Sequence, residues 1–311
     1  MLRLRRIGTC QKHHIEGVEK ELLALLSALG GSHRSHERAA KRKKEAGKRP
    51  RLKNGLTVSY VCTRLKLGWS PEHIAGRIDI DHPGLSISHE AVYQYIYHPR
   101  TEGRDELIGH LRRGHRKRKR KGVGRKERKG KIPNRIPIEE RPASADQSAS
   151  GGFGHWEGDS LVSRKSLAAL STLVERKSRL LFLTKLERKS AVHASGSVIR
   201  RLQGFPEGAR RTLTLDNGTE NARHQEITEA IGPPQAGYFA RPYASWQRGT
   251  NEHTNGLVRW YFPKGTDFAK ITDESALGGA RVEPLINNRP RKCLGYKTPL
   301  EVASSFVALR A

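Results

Sequence analysis

The chain has 311 residues, with 59 Lys and Arg against 31 Asp and Glu, and so carries a formal net charge of +28. A surplus of this size repels itself in a compact protein, and a polyanionic partner explains it most simply, with nucleic acid ahead of a membrane surface. No run of about 18 apolar residues is present, which excludes a membrane-spanning segment. Cys10, Cys62 and Cys293 lie far apart, so neither a disulfide framework nor a zinc site is indicated.

Residues 1–55 are interpreted as a basic N-terminal segment. Val18–Leu29 has the spacing of an amphipathic helix that ends at a glycine pair. Residues 34–53 carry a basic, alanine-containing run, which is either a solvated helix face or a contact to DNA phosphates. The arginines at the N-terminus are not followed by the apolar core of a secretion signal, so we do not expect a secreted protein.

Residues 56–100 predict a small, all-helical domain. Ser70 with Pro71 is a good helix start, and Ser88 caps a second helix after a Pro-Gly turn. Two short helices joined by a turn are typical of a helix-turn-helix, and the alternative is a plain helical hairpin. The net charge favours DNA reading. In that arrangement the early residues of the second helix would face the bases, namely His89, Glu90, Tyr93 and Gln94.

Residues 101–150 are interpreted as a basic linker. Within it, Arg112–Arg135 holds 14 Lys and Arg and one Glu, a composition that cannot form a packed core. We expect this run to lie as a flexible strap along DNA phosphates; the alternative is a solvated linker without fixed contacts. The strap includes Arg116, Lys117 and Arg118.

From His155 the pattern changes to short strands and helices. Three strands follow one another closely and predict a meander. A helix over 190–202, a strand at Thr212–Leu215, a helix over 222–231, an apolar strand at Tyr238–Phe239 and a late helix come next. This order predicts an α/β layer with a mixed sheet over residues 151–311.

Three acids stand at special places in these elements. Asp159 lies in the first strand, Asp216 ends the fourth strand, and Glu252 lies on the late helix. Carboxylates from separate elements can hold Mg²⁺, and such ions assist displacement at a phosphodiester. Each acid also has a plainer interpretation: Asp216 as part of an Asp-Asn-Gly turn, Asp159 as a local acceptor, and Glu252 as a residue that complements the helix dipole. Taken as a set beside the net charge, the metal interpretation is favoured.

The late helix has two predicted faces. Thr254, Leu257, Val258 and Tyr261 share the face that can be buried, while Arg248, Glu252, Asn255 and Arg259 share the other. The remaining acids near the triad are expected at the surface: Glu157, Glu175, Glu187 and Glu220.

Several long segments resemble the insertion-sequence-30 family of transposases. They are EGDSLV around Asp159, TLDNGTE around Asp216, the run YFARPYASWQRGTNEHTNGLVRWYFPKGTDF that contains Glu252, and NNRPRKCLGYKTPLEV from Asn287. GWSPEHIAGRI and SISHEAVYQYIY are similar to the family's second DNA-binding module. Residues 1–33 show no match to the additional helix-turn-helix with which the family begins, so a truncated DNA-binding region is expected there.

The resemblance implies a ribonuclease-H-like, integrase-type catalytic core with a metal-binding triad at Asp159, Asp216 and Glu252. It implies Mg²⁺, with Mn²⁺ as a substitute, and DNA as the partner, both as terminal inverted repeats and as target. Bringing two DNA ends together implies a homo-oligomer. Four further motif positions are expected to position DNA or brace the helix: Trp246, Gln247, Arg248 and Asn255.

Two functions from different classes therefore remain. The first is a metal-dependent transposase that cuts the ends of an insertion sequence and joins them to new DNA. The second is a decayed copy that only binds DNA, as a repressor does. The three intact acids favour the enzyme.

Overall fold

The computed structural model describes residues 37–42, 52, 54–111, 132–145, 152–232, 236–242, 244–271 and 282–308. The chain divides into two compact units, Met1–Lys53 and Asn54–Ala311. Within the first unit, residues 37–42 are helical and exposed, and the helix predicted for 18–29 lies outside the described residues. Most of the predicted strap, residues 112–131, also lies outside them. None of the described helices combines the length and the apolar character that crossing a membrane requires.

The described part of the second unit begins with helices α1 (Gly55–Lys66), α2 (Pro71–Asp81), α3 (His89–Ile96) and α4 (Arg104–Gly109). The predicted starts of α2 and α3 are confirmed. The Ser70 hydroxyl accepts a hydrogen bond from the backbone of His73, with Pro71 in the first turn, and the Ser88 hydroxyl accepts one from Ala91. Each cap satisfies a backbone N–H that has no partner within its own helix.

Polar contacts tie α1, α2 and α3 into one three-helix module (residues 55–96). Asp81, at the end of α2, accepts hydrogen bonds from the Tyr60 hydroxyl at 2.7 Å and from Arg77 Nε at 2.7 Å. The Tyr93 hydroxyl of α3 donates to Glu72 of α2 at 3.2 Å. The compact helical module predicted from sequence is therefore present, and α2 is its central element.

A mixed sheet follows, formed by β1 (Ile136–Pro137), β2 (His155–Val162), β3 (Ala169–Glu175), β4 (Leu181–Leu186), β5 (Thr212–Leu215) and β6 (Ala236–Phe239). Among the described residues it has six strands in the order β1-β6-β5-β2-β3-β4. β2, β3 and β4 form the predicted antiparallel meander, while β5 and β6 run parallel to β2 and β1 runs parallel to β6. β1 was not foreseen, because its two residues lie within the stretch interpreted as linker.

Helices cover both faces of the sheet: α5 (Ala191–Leu202), α6 (His224–Ile231), α7 (Gly249–Tyr261), α8 (Val282–Asn287) and α9 (Pro299–Ala308). On one face, α5 and α6 pack with α9 on a cluster that surrounds the fully buried Trp156. On the other face, α7 and α8 cover Leu170, Val174 and Leu183. The predicted α/β architecture with a mixed sheet flanked by helices is confirmed. The domain boundaries remain predictions.

Candidate active site

The strand register brings Asp159 and Asp216 to the same edge of the sheet. β2 pairs in parallel with β5, and Glu157 lies opposite Thr214. Extending that register by two residues along each strand places Asp159 level with Asp216, on the same face of the sheet. Asp159 stays within the ladder because it also pairs with Thr172 of β3. Asp216 comes directly after β5, so the ends of two parallel strands supply the two acids.

Each aspartate uses one oxygen for local structure and has the other near Arg248. Asp159 Oδ1 accepts the backbone N–H of Ser160 at 2.8 Å, and Asp216 Oδ1 accepts that of Gly218 at 3.0 Å and the Asn221 amide at 2.6 Å. The turn predicted at Asp-Asn-Gly is thus present. It does not exclude a second role, because Asp216 Oδ2 takes no part in it.

Arg248 lies between the two carboxylates. Its Nη1 is 3.5 Å from Asp159 Oδ2, and its Nη2 is 3.7 Å from Asp216 Oδ2. Nη1 also donates to the carbonyl of Gly158 at 3.2 Å, which fixes the guanidinium against β2. A single cation therefore bridges both acids.

Opposing effects act on the pKa of the Asp159 carboxyl. Burial raises the pKa of the Asp159 carboxyl, and the nearby carboxylates of Asp216 and Glu220 raise it further, against the opposing effect of Arg248. Asn255, seven residues after Arg248, donates its side-chain amide to Asp159 Oδ2 at 2.9 Å. The ionised form of Asp159 is consequently held by one cation and two N–H donors.

Glu252 lies in the first turn of α7 and is exposed. Within the described ranges, no three or more His, Cys, Asp and Glu side chains form a group that could hold a metal ion. Asp159 and Asp216 thus meet at Arg248, and Glu252 lies four residues after Arg248 along the chain. The predicted faces of the helix are otherwise present: Thr254, Leu257 and Val258 are buried, and Arg248 and Asn255 contact Asp159.

A buried polar network fastens α7 to the sheet. Asn251, with no exposed surface, donates its amide to the carbonyl of Glu157 at 2.9 Å, and its backbone N–H to Glu157 Oε2 at 2.8 Å. Its Oδ1 accepts from the Thr172 hydroxyl at 3.2 Å. Arg248, at the N-terminus of α7, makes no side-chain cap. Glu157 on the sheet instead accepts one of the backbone N–H groups of the first turn. This network places the helix that carries Arg248, Glu252 and Asn255 against the strand that carries Asp159.

The expectation that the neighbouring acids lie at the surface is wrong for three of them. Glu157 and Glu175 are fully buried, and Glu220 is 5% exposed. Glu157 pairs with Arg176 at 2.8 Å, and Glu220 pairs with Lys189 at 2.8 Å. For Glu157, the sequence contained an indication of its position near the site. Side chains alternate along a strand with a period of two residues, so Glu157 and Asp159 share one face of the sheet. Only Glu187 is exposed as expected.

The residues predicted to contact DNA are placed as follows. His89 and Gln94 are exposed on α3, and Tyr93 is half-buried through its bond to Glu72. Trp246 is 75% exposed, whereas Gln247 accepts the backbone N–H of Arg241 at 2.7 Å. The three residues predicted in the strap, Arg116, Lys117 and Arg118, lie outside the described residues.

Comparisons with solved structures find partial matches at low identity. The catalytic core domain of BIV integrase is 19% identical, with a TM-score of 0.38, covering 51% of this chain and 100% of that one. The HTLV-2 integrase catalytic core domain in complex with magnesium is 15% identical, with a TM-score of 0.26, covering 35% of this chain and 68% of that one. No protein-family model matches the chain.

Similar sequences are more informative. The transposase for insertion sequence element IS1086 of Cupriavidus metallidurans is 36% identical over 296 residues, which cover 93% of this chain and 85% of that protein. Transposase InsI for element IS30A of Escherichia coli is 40% identical over 255 residues, covering 80% of this chain and 64% of that protein. The transposase for element IS4351 of Bacteroides fragilis is 34% identical and covers 91% of this chain and 84% of that protein. With identities of this size over most of its length, the chain belongs to the insertion-sequence-30 family of DNA transposases.

Proposed function

We propose that this transposase is a metal-dependent enzyme whose acids Asp159, Asp216 and Glu252 act on DNA phosphodiesters. It would cut the ends of its insertion sequence and join the exposed 3′-hydroxyls to target DNA. The observation that carries the proposal is the convergence of Asp159 and Asp216 on one cation, the Arg248 guanidinium. Two acids from neighbouring strand ends, facing a single positive charge, form a place that selects for cations.

The donor set fits a hard divalent cation. Asp159 and Asp216 offer carboxylate oxygens only, and Mg²⁺ in proteins is usually bound through one or two carboxylates, with waters and substrate phosphates completing the shell. Glu252 is assigned as the third acid, four residues after Arg248 on the same helix. When bound, Mg²⁺ or Mn²⁺ would activate the attacking oxygen and offset the charge on the leaving oxygen.

The residues around the acids have supporting roles. Asn255 and the backbone N–H of Ser160 orient the Asp159 carboxylate, and Asn221 orients that of Asp216. Arg248 is fixed by the Gly158 carbonyl next to both acids, where its fork of N–H donors suits a phosphate oxygen. Trp246, largely exposed just before α7, is suited to stacking on an unpaired base.

The chemistry has two steps of the same kind. In the first, a water oxygen bonds to phosphorus at the end of the element, the bond to the 3′-oxygen breaks, and that oxygen takes a proton as a 3′-hydroxyl. In the second, this hydroxyl loses its proton and bonds to a phosphorus of the target, and the target's own 3′-oxygen leaves. Neither step needs an oxidant or a high-energy cofactor. In the first step, a bond from phosphorus to the water oxygen replaces the bond to the 3′-oxygen. In the second, a bond to the element's 3′-oxygen replaces the bond to the target's 3′-oxygen.

The remaining assignments follow from the DNA substrate. The three-helix module would read the terminal repeat through His89, Tyr93 and Gln94, and the strap at 112–135, with Arg116, Lys117 and Arg118, would follow the phosphates. Residues 1–55, 56–100, 101–150 and 151–311 remain the proposed domains. Joining two ends requires a homo-oligomer on DNA, and the substrate places the protein in the bacterial cytoplasm.

The test uses purified protein and duplex DNA that carries the sequences flanking this gene. Wild type should nick the duplex in Mg²⁺ or Mn²⁺. Asp159→Asn and Asp216→Asn should bind the same duplex and not nick it, while the exposed Asp105→Asn should behave as wild type. If the Asp159→Asn protein cuts as well as wild type, the assignment of the acids is wrong. A wild-type protein that binds and never cuts would instead support the DNA-binding, repressor-like alternative.

A further inference from the structure

The three-helix module rests on a C-terminal stretch, residues 289–301, that we call the docking segment. No part of the proposed chemistry uses this stretch. It begins with Arg289, which is 3% exposed and whose Nε donates to His73 Nδ1 of α2 at 3.2 Å. It ends at Glu301, in the first turn of α9.

Arg77 of α2 is the centre of this contact. Its Nη2 and Nη1 donate to the two carboxylate oxygens of Glu301 at 2.6 and 2.7 Å. Nη1 also donates to the carbonyl of Tyr296 at 3.1 Å, and Nε donates to Asp81 at 2.7 Å. A two-pronged contact between guanidinium and carboxylate fixes direction as well as distance. The Arg77 side chain is 10% exposed and that of Glu301 is 44% exposed, so solvent reaches the pair from the Glu301 side.

Glu301 is itself held in place locally. Its carboxylate accepts the backbone N–H of Thr298 at 2.8 Å, and the Thr298 hydroxyl accepts the backbone N–H of Glu301 at 3.2 Å. This reciprocal pair is a capping box for α9. The carboxylate that grips Arg77 is therefore fixed on a helix start that packs on the sheet.

A close steric fit lies beside the ion pair. A Cβ atom at Gly76 of α2 would lie 2.3 Å from the Tyr296 ring, so the ring can lie there only because residue 76 is glycine. Tyr296 has a φ of +62° directly after Gly295 at +61°. A tyrosine in the left-handed region is strained, and such strain persists where surrounding contacts outweigh it.

The module also touches the helix that carries the candidate acid. Gly68, between α1 and α2, has a φ of +79°, and a Cβ there would lie 2.6 Å from the Trp260 ring. Trp260 belongs to α7, two turns after Glu252. The module therefore has contacts both to the docking segment and to α7.

We propose that the docking segment holds the three-helix module at one distance and angle from the acids. The DNA bound by α3 then determines which phosphodiester meets Asp159 and Asp216. Arg77 and Glu301 are positioning residues for cleavage, and the link runs from α3 through Tyr93 and Glu72 to α2 and then to Glu301. This inference rests on the proposed function.

The test compares cut positions on an end-labelled duplex that carries the DNA flanking this gene. Glu301→Gln removes the negative charge of the pair and leaves Arg77 with Asp81. Gly76→Ala adds a methyl group on α2 that would clash with the Tyr296 ring of the docking segment. Their matched controls lie on α4, outside the docking contact: Glu106→Gln breaks the exposed pair with Lys66, and Gly109→Ala adds a methyl group in open space.

We expect both test variants to bind the duplex as wild type does. Cutting at the bond that wild type selects should fall by about 10- to 100-fold, because small misplacements are costly for oriented reactions. The fraction of cuts at neighbouring bonds should rise, which a general loss of stability would not cause. Both controls should cut at the wild-type bond, and thermal melts check that every variant is folded.

Two other outcomes are decisive. Folded Glu301→Gln and Gly76→Ala proteins that cut the wild-type bond at the wild-type rate would overturn the positioning role and leave the proposed function standing. A wild-type protein that binds the duplex and cuts nowhere would refute the proposed function, and the positioning role with it.

Discussion

Arg248 gives the two aspartates a shared cation. Without it, two carboxylates would face one another at the sheet edge, and repulsion would oppose the arrangement. The same residue was predicted from sequence to position DNA. Stabilising the acids before DNA arrives and contacting a phosphate afterwards are compatible roles for one guanidinium.

Replacing Arg248 with Gln should therefore make folding more dependent on metal. We expect the variant to lose about 1.5–3 kcal/mol in EDTA, because it loses the hydrogen bond from the charged guanidinium to the Gly158 carbonyl. Added Mg²⁺ should then raise its melting temperature more than it raises that of wild type. Arg241→Gln, at an exposed ion pair, is the control. Equal metal shifts for wild type and Arg248→Gln would contradict this view of the site.

Glu157 is a buried acid with a structural task. It pairs with Arg176 and accepts the N–H of Asn251, so removing its carboxylate breaks this ion pair and takes an acceptor from the start of α7. Breaking a buried pair from one side costs about 3–5 kcal/mol. We expect Glu157→Ala to lose stability of this order in urea unfolding, and the exposed Glu187→Ala to change it by less than about 0.5 kcal/mol. A loss no larger than that of the control would show that the pair is not stabilising.

At the scale of elements, helix starts were the most predictable feature. A serine cap is a local signal, since it depends on residues within one turn. The caps at Ser70 and Ser88 were identified from sequence and are present. The start of α7 was harder, because its N-terminal N–H groups are served by Glu157 from another strand.

The Ser88 cap can be tested on its own. Ser88→Ala should destabilise α3 by about 1 kcal/mol, which is typical for loss of a serine cap, and Ser88→Asp should restore it. Amide hydrogen exchange of α3 would report the change as faster exchange at His89–Ile96. Ser86→Ala, two residues earlier and exposed, is the control. Unchanged exchange in Ser88→Ala would mean that packing alone holds the helix.

At the scale of the whole molecule, Glu301 of α9 pairs with Arg77 of α2. We expect the stability that this ion pair contributes to depend on pH. The hydrogen bonds from Arg77 lower the pKa of Glu301 from its ordinary 4.5 to about 2. An acid whose pKa is lower in the folded state stabilises that state above its ordinary pKa. The stabilisation is lost as the pH falls through 4.5 toward 2.

The difference in unfolding free energy between wild type and Glu301→Gln should accordingly be full at pH 7 and shrink below pH 4.5. Urea unfolding of both proteins at pH 7, 4 and 3 measures it, and taking the difference removes the acid sensitivity of other groups. High salt should reduce the difference at pH 7, because the Glu301 side chain is 44% exposed. A difference that is the same at every pH would show that the ion pair does not stabilise the fold.

The sequence by itself determined the order of elements from β2 to α7 and the serine caps of α2 and α3. It also singled out the three acids, whose role stays a prediction. The order and the caps depend on alternation, helical spacing and local caps, which neighbouring residues set. It also indicated that Arg248 and Asn255 share a helix face, and both reach Asp159. Its family resemblance is confirmed by relatives that match most of the chain.

Only the tertiary structure decided which residues meet. The surface expectation failed for Glu157, Glu175 and Glu220, because burial of a charge depends on partners such as Arg176 and Lys189 that strand pairing brings close. The level placement of Asp159 and Asp216 likewise required the parallel register of β2 and β5. The contact between Arg77 and Glu301 joins residues 224 positions apart, and no local pattern encodes such a distance.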